Sequence, residues 1–326
     1  MSSIHAVKRA HAHLAWDNSI PPAVRVHSGD TVAFDCLDAS NGQLAPASTP
    51  ASVAALDFAR LDQVNGPVYV EGAAPGDVLQ VDVLAIAPSV PWGWSANVPG
   101  FGLLAADFPR PALKIWQLHD YAHGAGYAAF DDHSGIRIPL RPFAGEMGVA
   151  RAAPGPHSTI PPYATGGNID TRHLTAGSTL YLPVEVPGAL FSMGDGHAAQ
   201  GDGGTAIETS IRASVRLTVL KHPARTAVVN TPHFSTPAAP AQAYYCTTGV
   251  DPDIREAARA AVRHMIALLA VEHGLEREDA YILCSVAGDL RMHEVVDMPN
   301  YVIGMMMPKS IFTKPGQTGV LSATHV

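Results

Sequence analysis

Residues 67–86 read PVYVEGAAPGDVLQVDVLAI, two runs of β-branched and apolar residues on either side of a Pro-Gly-Asp turn. Valine, isoleucine and tyrosine suit a pleated, half-buried surface. Pro75, Gly76 and Asp77 supply the backbone angles and local hydrogen bonds of a tight turn. The run Val78–Val83 alternates only in part, which leaves room for one wet face. The same pattern recurs outward along the chain. Ala23–Val26, Thr31–Leu37, Pro67–Val70 and Val78–Ile86 read as strands separated by Ser-Gly-Asp, Asn-Gly and Pro-Gly-Asp turns, and further strands are expected at Ile136–Pro139, Thr179–Val184 and Ser210–Leu220. Residues 88–106, with Trp92 and Trp94 among prolines and glycines, read as a long loop whose tryptophans are either packed or pocket-lining.

Composition agrees. The 326 residues are 47% hydrophobic and 15% charged, enough for a sizeable core, and 27 prolines with 29 glycines suit many punctuated strands better than a helical bundle. A net charge of −8 with no basic run argues against a nucleic-acid partner. The first residues lack the apolar core of a signal peptide, and no apolar segment approaches the roughly 20 residues of a membrane helix. Three widely spaced cysteines, Cys36, Cys246 and Cys284, fit free thiols in a reducing, cytoplasmic setting.

The end of the chain changes character. Asp251-Pro252 reads as an N-cap followed by proline at the first helical position, and Ile254, Ala258, Val262, Met265, Ile266 and Leu269 recur at helical spacing before the stop at Gly274. A shorter helix follows from about Glu276 to Ser285. The expected architecture is therefore β-rich (α+β), with a helical hairpin near the C-terminus covering a sheet or a subunit boundary. The expected division is a strand-rich region over 1–230 that carries the site and an α+β segment over 231–326.

The densest polar chemistry lies in residues 193–210, MGDGHAAQGDGGTAIETS. Asp195 and His197 are two apart, so an extended backbone sends both side chains to one face, with Asp202 a few residues on. Carboxylate and imidazole are common divalent-metal ligands, and the glycines allow close approach of backbone to a ligand. The plainer reading is a glycine-rich surface turn. Two other segments invite the same question. Gly166-Gly167-Asn168-Ile169-Asp170 sets an amide and a carboxylate after two glycines, which is also what an Asx-rich turn looks like. Glu146 stands among apolar and small residues, either exposed on a loop or buried with a raised pKa suited to proton transfer. No G-x-S-x-G elbow, P-loop or dinucleotide fingerprint is present.

Taken together, the segments HLAWDNSIPPAVRVHSGDTV with LDASNGQ, LDFARLDQVNGPVYVEGAAPGDVLQVDV, RPFAGEMGVA, HSTIPPYATGGNIDTRHLTAGSTLYLPV, MGDGHAAQGDG with GTAIE, LCSVAGDLR and MPKSIF resemble the acetamidase/formamidase family, in the same order and over nearly the whole chain. The resemblance implies a β-sandwich core with a smaller α+β part, hydrolysis of small amides to acid and ammonia, a divalent metal (zinc), and a homodimer or larger homo-oligomer. One departure is visible: the family pattern continues GDG with a Glu and a few more residues, whereas Gly203 runs straight into Gly204-Thr205-Ala206-Ile207-Glu208.

On that resemblance, Asp195 and His197 would bind the metal, with Glu208 or Asp202 completing the set. Asp202 or Glu146 would take the proton from water and return it to the departing nitrogen. Asn168 and Asp170 would hold the substrate NH2. A lactam or a larger amide as substrate, or a sandwich that binds amide-like ligands without turnover, are the alternatives. Glu146, Asn168, Asp170, Asp195, His197 and Asp202 are expected to converge in one pocket, with the segment Asp38–Gln43 closing over it.

Overall fold

The structure is a computed structural model that describes residues 4–101, 109–123, 126–130, 137–202, 206–221, 229–236 and 243–312. The residues that follow the Pro-Gly-Asp turn form the long strand Val78–Pro88, paired antiparallel with Ile211–Leu220 on one side and Thr179–Pro183 on the other. These strands sit inside a nine-stranded sheet. It continues through Thr31–Cys36 to the edge strand Ile4–Val7 in one direction. In the other it passes through His233–Ser235, Tyr244–Asp251 and Tyr301–Pro308 to the edge strand Asp289–Glu294.

A second, eleven-stranded sheet is built around Phe191–Gln200. One edge of this strand pairs along its length with Phe143–Val149. Its other edge is shared. Residues 191–194 pair with Val64–Val70, and residues 197–200 pair with Ala206–Glu208. The handover leaves Asp195 between two partner strands, in the left-handed region at φ +50°.

The two sheets face one another across a common apolar layer. Val81, Leu180 and Val215 of the first sheet and Met147, Phe191 and Met193 of the second belong to one buried cluster. Phe34 meets Phe191 edge-on, ring centroids 6.0 Å apart. This is the β-sandwich that the resemblance implied.

The C-terminal helices, Ile254–His273 and Arg277–Ala287, cover the outer face of the nine-stranded sheet. Alternation along Tyr301–Pro308 decides the two faces: Val302 and Met306 join the layer between the sheets, while Met305 and Met307 pack against Met265, Leu268 and Leu269 of the helices. Gly249 lets the first helix approach, because a Cβ there would overlap the backbone of Ala257. The cap differs from the sequence reading. Asp253, not Asp251, accepts hydrogen bonds from the N–H groups of Arg255 and Glu256, because Asp251 is still the last rung of its strand, opposite Tyr301. The helix ends at Gly274, φ +67°, as expected.

Trp92 and Trp94 also differ from the reading. They lie on a strand, Trp92–Asn97, paired with Ala112–His119 and joined to Glu208. Gly93 makes that junction possible, since a Cβ there would stand 2.7 Å from the carbonyl oxygen of Glu208.

Candidate functional site

The handover on Phe191–Gln200 creates the site. Where two partner strands stop short of each other, the backbone between them is free to bend, and Asp195 bends it. The D-x-H pair still meets: Nε2 of His197 lies 2.9 Å from Oδ2 of Asp195. Glu208, opposite His197 in the ladder, brings Oε2 to 3.2 Å from the same nitrogen. Asp170, just past the strand Gly166–Asn168, places Oδ1 3.5 Å from Nδ1 of His197. Phe143 holds the imidazole edge-on from the neighbouring strand, at 4.8 Å between centroids.

Gly145 completes the arrangement. A Cβ on it would stand 2.5 Å from Oδ1 of Asp170 and 2.8 Å from Cε1 of His197, and would overlap Oδ2 of Asp195. The backbone of Gly145 also accepts from the N–H groups of Ile169 and Asp170, so the same residue orients one carboxylate and makes room for the others.

Electrically the cluster is crowded with acids. Burial works against charge on every member. At His197, the charges of Asp195, Glu208 and Asp170 overcome burial and hold the imidazole pKa well above its ordinary value. Burial pushes Asp195 up, but the charge and hydrogen bond of His197, with a hydrogen bond to Glu208, together hold it below its ordinary value. Burial pushes Glu208 up to about 8, and burial with the charge of Asp195 does the same to Asp62. Asp170 is raised well above its ordinary range by burial, partly offset by His197.

One donor atom each from Asp170, Asp195 and His197 fall within 4.8 Å of one another, all three side chains buried. Oδ1 of Asp170 and Nδ1 of His197 make no hydrogen bond among the described residues. Two carboxylates and an imidazole are a usual donor set for a divalent cation of the zinc type. Two buried donor atoms without a hydrogen bond among the described residues, around space that only a glycine leaves open, fit such an ion.

The cluster lines a cavity of about 130 Å³. Asn168 lines it too. Its Nδ2 donates to Oδ2 of Asp297 at 2.9 Å and to the carbonyl of Ile160 at 2.8 Å, while Oδ1 makes no hydrogen bond among the described residues. Of the candidates read from the sequence, Asn168, Asp170, Asp195, His197 and Glu208 share this cavity. Glu146 is fully buried but is not a lining residue. It lies opposite Asn168 in the ladder, both carboxylate oxygens without hydrogen bonds among the described residues, its pKa raised by burial and then by Asp62, Asp195, Asp170 and Asp297.

Asp202 stands apart. Its carboxylate is held by Arg172 at 2.8 Å and Arg291 at 3.3 Å, and it does not line the cavity. The departure at Gly203-Gly204 falls outside the described residues. The segment Asp38–Gln43 contributes Ala39 to the wall, and Asp38 stands behind it, accepting from Nε1 of Trp94 at 2.9 Å. Two acids in the cavity went unnoticed in the sequence, Asp62 and Asp297. Asp62 lies just before the strand that stops at the handover. Asp297 comes from the loop between the last two strands, where an acid between valines and Met298-Pro299 was the only signal.

The comparisons with known proteins agree on one family. The acetamidase/formamidase family profile matches residues 2–154 and 150–314. A putative formamidase of Schizosaccharomyces pombe is 29% identical over 67% of this chain, which spans about two thirds (66%) of that relative's length. A formamidase of Methylophilus methylotrophus is 26% identical, covering 92% of this chain and 89% of its own. The crystal structure of an acetamidase from Bacillus halodurans superposes with a TM-score of 0.82 at 29% identity, over 93% of this chain and 96% of that one. The chain belongs to the acetamidase/formamidase family, a family of amidases.

Proposed function

We propose that the chain hydrolyses primary amides to a carboxylic acid and ammonia, with a divalent cation, zinc, held by Asp170, Asp195 and His197. The observation that carries this reading is the pocket over Gly145, where three buried donors converge on space that a single Cβ would fill. A cation bound there supplies Lewis acidity, polarising the amide carbonyl and lowering the pKa of water.

The chain's own groups do the rest. Asn168 turns its unpaired Oδ1 to the substrate NH2 as an acceptor, fixed by its two donated hydrogen bonds. Glu208 lines the cavity beside His197, where its carboxylate can take a proton from water and, once protonated, give it to the nitrogen. Water's oxygen bonds to the carbonyl carbon, the C–N bond breaks, and nitrogen leaves as neutral ammonia. Glu208 replaces Asp202 in this role because Asp202 is committed to two arginines. Amides are inert in water, so positioning and charge stabilisation must supply well over about 10 kcal/mol. The family resemblance also supports a homodimer or larger homo-oligomer, to be measured by light scattering.

The test is ammonia release from formamide, acetamide, propionamide and larger primary amides, before and after chelation. Release that chelation stops and zinc restores is expected. Background release from every amide overturns the reading.

A further inference from the structure

The cavity is lined by two unlike sets of side chains. Besides the carboxylates and His197, its wall includes Leu56, Phe58, Trp94, Val98, Phe101 and Ile160. Formamide has only hydrogen and acetamide only a methyl to offer that wall, so either would leave it wet.

Phe58 and Phe101 stand out. They are 44% and 37% exposed, yet face each other with ring centroids 6.3 Å apart at the cavity. Large apolar side chains that remain uncovered together at a pocket mark a surface that a ligand covers. The wall is also held in place before anything binds. Gln43 clasps the turn that carries Phe58, donating to the carbonyl of Asp57 at 3.1 Å and accepting from the N–H of Asp57 at 2.9 Å. Asp57 in turn caps the short helix Phe58–Arg60 by accepting from the N–H of Ala59. Trp94 and Leu56 are packed in a cluster with Leu44 and Trp92, and the indole N–H of Trp94 is tied to Asp38. The LDASNGQ segment therefore braces the apolar wall and supplies no polar contact to the cavity.

Resting on the amidase reading above, we infer that the preferred substrates are primary amides whose acyl group is a compact apolar unit, branched aliphatic or aryl, with Phe58 and Phe101 setting that preference. The cavity of about 130 Å³, set against the roughly 150 Å³ that accommodates benzene alone, limits the acyl group to a compact one that reaches the exposed rings of Phe58 and Phe101. The amide end then lies among Asn168, Asp170 and Glu208, and the acyl end lies against the aromatic pair.

The experiment is a kcat/KM series on the intact chain with formamide, acetamide, propionamide, butyramide, isobutyramide and benzamide. Each added methylene is expected to raise kcat/KM about fourfold until the wall is covered, with isobutyramide and benzamide well above acetamide. Phe58→Ala and Phe101→Ala are expected to lower the benzamide-to-acetamide ratio of kcat/KM by about tenfold each, while a loss shared equally by both substrates overturns their assignment. Rates that peak at formamide or acetamide and fall with acyl size overturn the inference and leave the amidase reading standing. No turnover of any amide overturns both.

Discussion

Gly145 and Asp195 lie opposite one another on antiparallel neighbouring strands, so close that no side chain on Gly145 fits beside the Asp195 carboxylate. The backbone of Gly145 is not in the left-handed region, so its glycine is demanded by space alone. Gly145→Ala is therefore expected to preserve the sandwich and to spoil the cluster. Displacing Asp195, Asp170 and His197 by a methyl should cost about 10²-fold in kcat/KM. Zinc content, by elemental analysis of protein with unchanged circular dichroism, should fall with it. Full zinc loading and full activity in the variant would show that the pocket over Gly145 is not the centre.

His197 offers the complementary test. It touches Asp195, Glu208 and Asp170 at once, so His197→Ala removes the group to which all three acids are referred. Metal and amide turnover should disappear together. Equal zinc in wild type and variant would move the ion elsewhere in the molecule.

Part of this centre was legible in the sequence, and the reason is local geometry. Asp195 and His197 share one strand and Asp170 lies two residues past Asn168, the end of another, so short spacings already imply proximity. Glu208 could be named from its neighbourhood, but only the ladder pairing with His197 gives it a place. Asp62 and Asp297 were invisible because their approach is set by where one strand ends and by a loop from the far C-terminal part of the chain. Asp202 misled for the opposite reason: it is close in sequence to His197, yet Arg172 and Arg291 claim it. Trp92 and Trp94 read as loop because prolines and glycines flank them, whereas Gly93 is what lets that strand join Glu208. Thr31–Cys36, Val78–Pro88, Thr179–Pro183 and Ile211–Leu220 were readable from β-branched runs and turns, whereas the glycine-rich Phe143–Val149 and Phe191–Gln200, the later Tyr244–Asp251 and Tyr301–Pro308, and the order of strands in two sheets were not.

Glu208 and Asp202 can be told apart by neutral isosteres. Glu208→Gln keeps the shape but cannot shuttle a proton, and should lower kcat by about 10²-fold or more. Asp202→Asn should leave kcat within a few-fold and lower thermal stability slightly, since its partners are partly exposed arginines. The reverse ranking of kcat would return the proton-transfer role to Asp202.

Stability of the metal-free protein should depend on pH in a defined direction. Asp62 and Glu208 have folded-state pKa values raised to about 8, from 3.8 and 4.5. Between about pH 4 and 8 the folded chain therefore holds protons that the unfolded chain has lost, and stability falls as pH rises through that window. Each such group weighs about 1.4 kcal/mol per pH unit at most. A bound divalent cation favours the ionised carboxylates and should oppose the fall. Thermal unfolding of chelated protein from pH 5 to 8, with and without added zinc, is the measurement; a chelated protein as stable at pH 8 as at pH 5 would contradict the buried-acid account.

The clasp between Asn168 and Asp297 joins the central strands to the C-terminal loop. Asn168→Ala leaves a buried carboxylate and the carbonyl of Ile160 without their donor, which should cost about 1–3 kcal/mol and raise KM through the lost acceptor. Asn168→Asp is the sharper test, because it replaces the donor with a second acid. Burial, with Asp170 and Glu294 nearby, already raises the Asp297 pKa well above its ordinary value. Two buried carboxyls in contact can share one proton at acid pH but repel once both ionise. The stability gap between wild type and Asn168→Asp should therefore be small near pH 5 and widen steadily towards pH 8, read from unfolding midpoints in matched buffers. A gap of constant size across that range would mean that Asn168 serves only to fill space and does not hold Asp297 by its amide hydrogens.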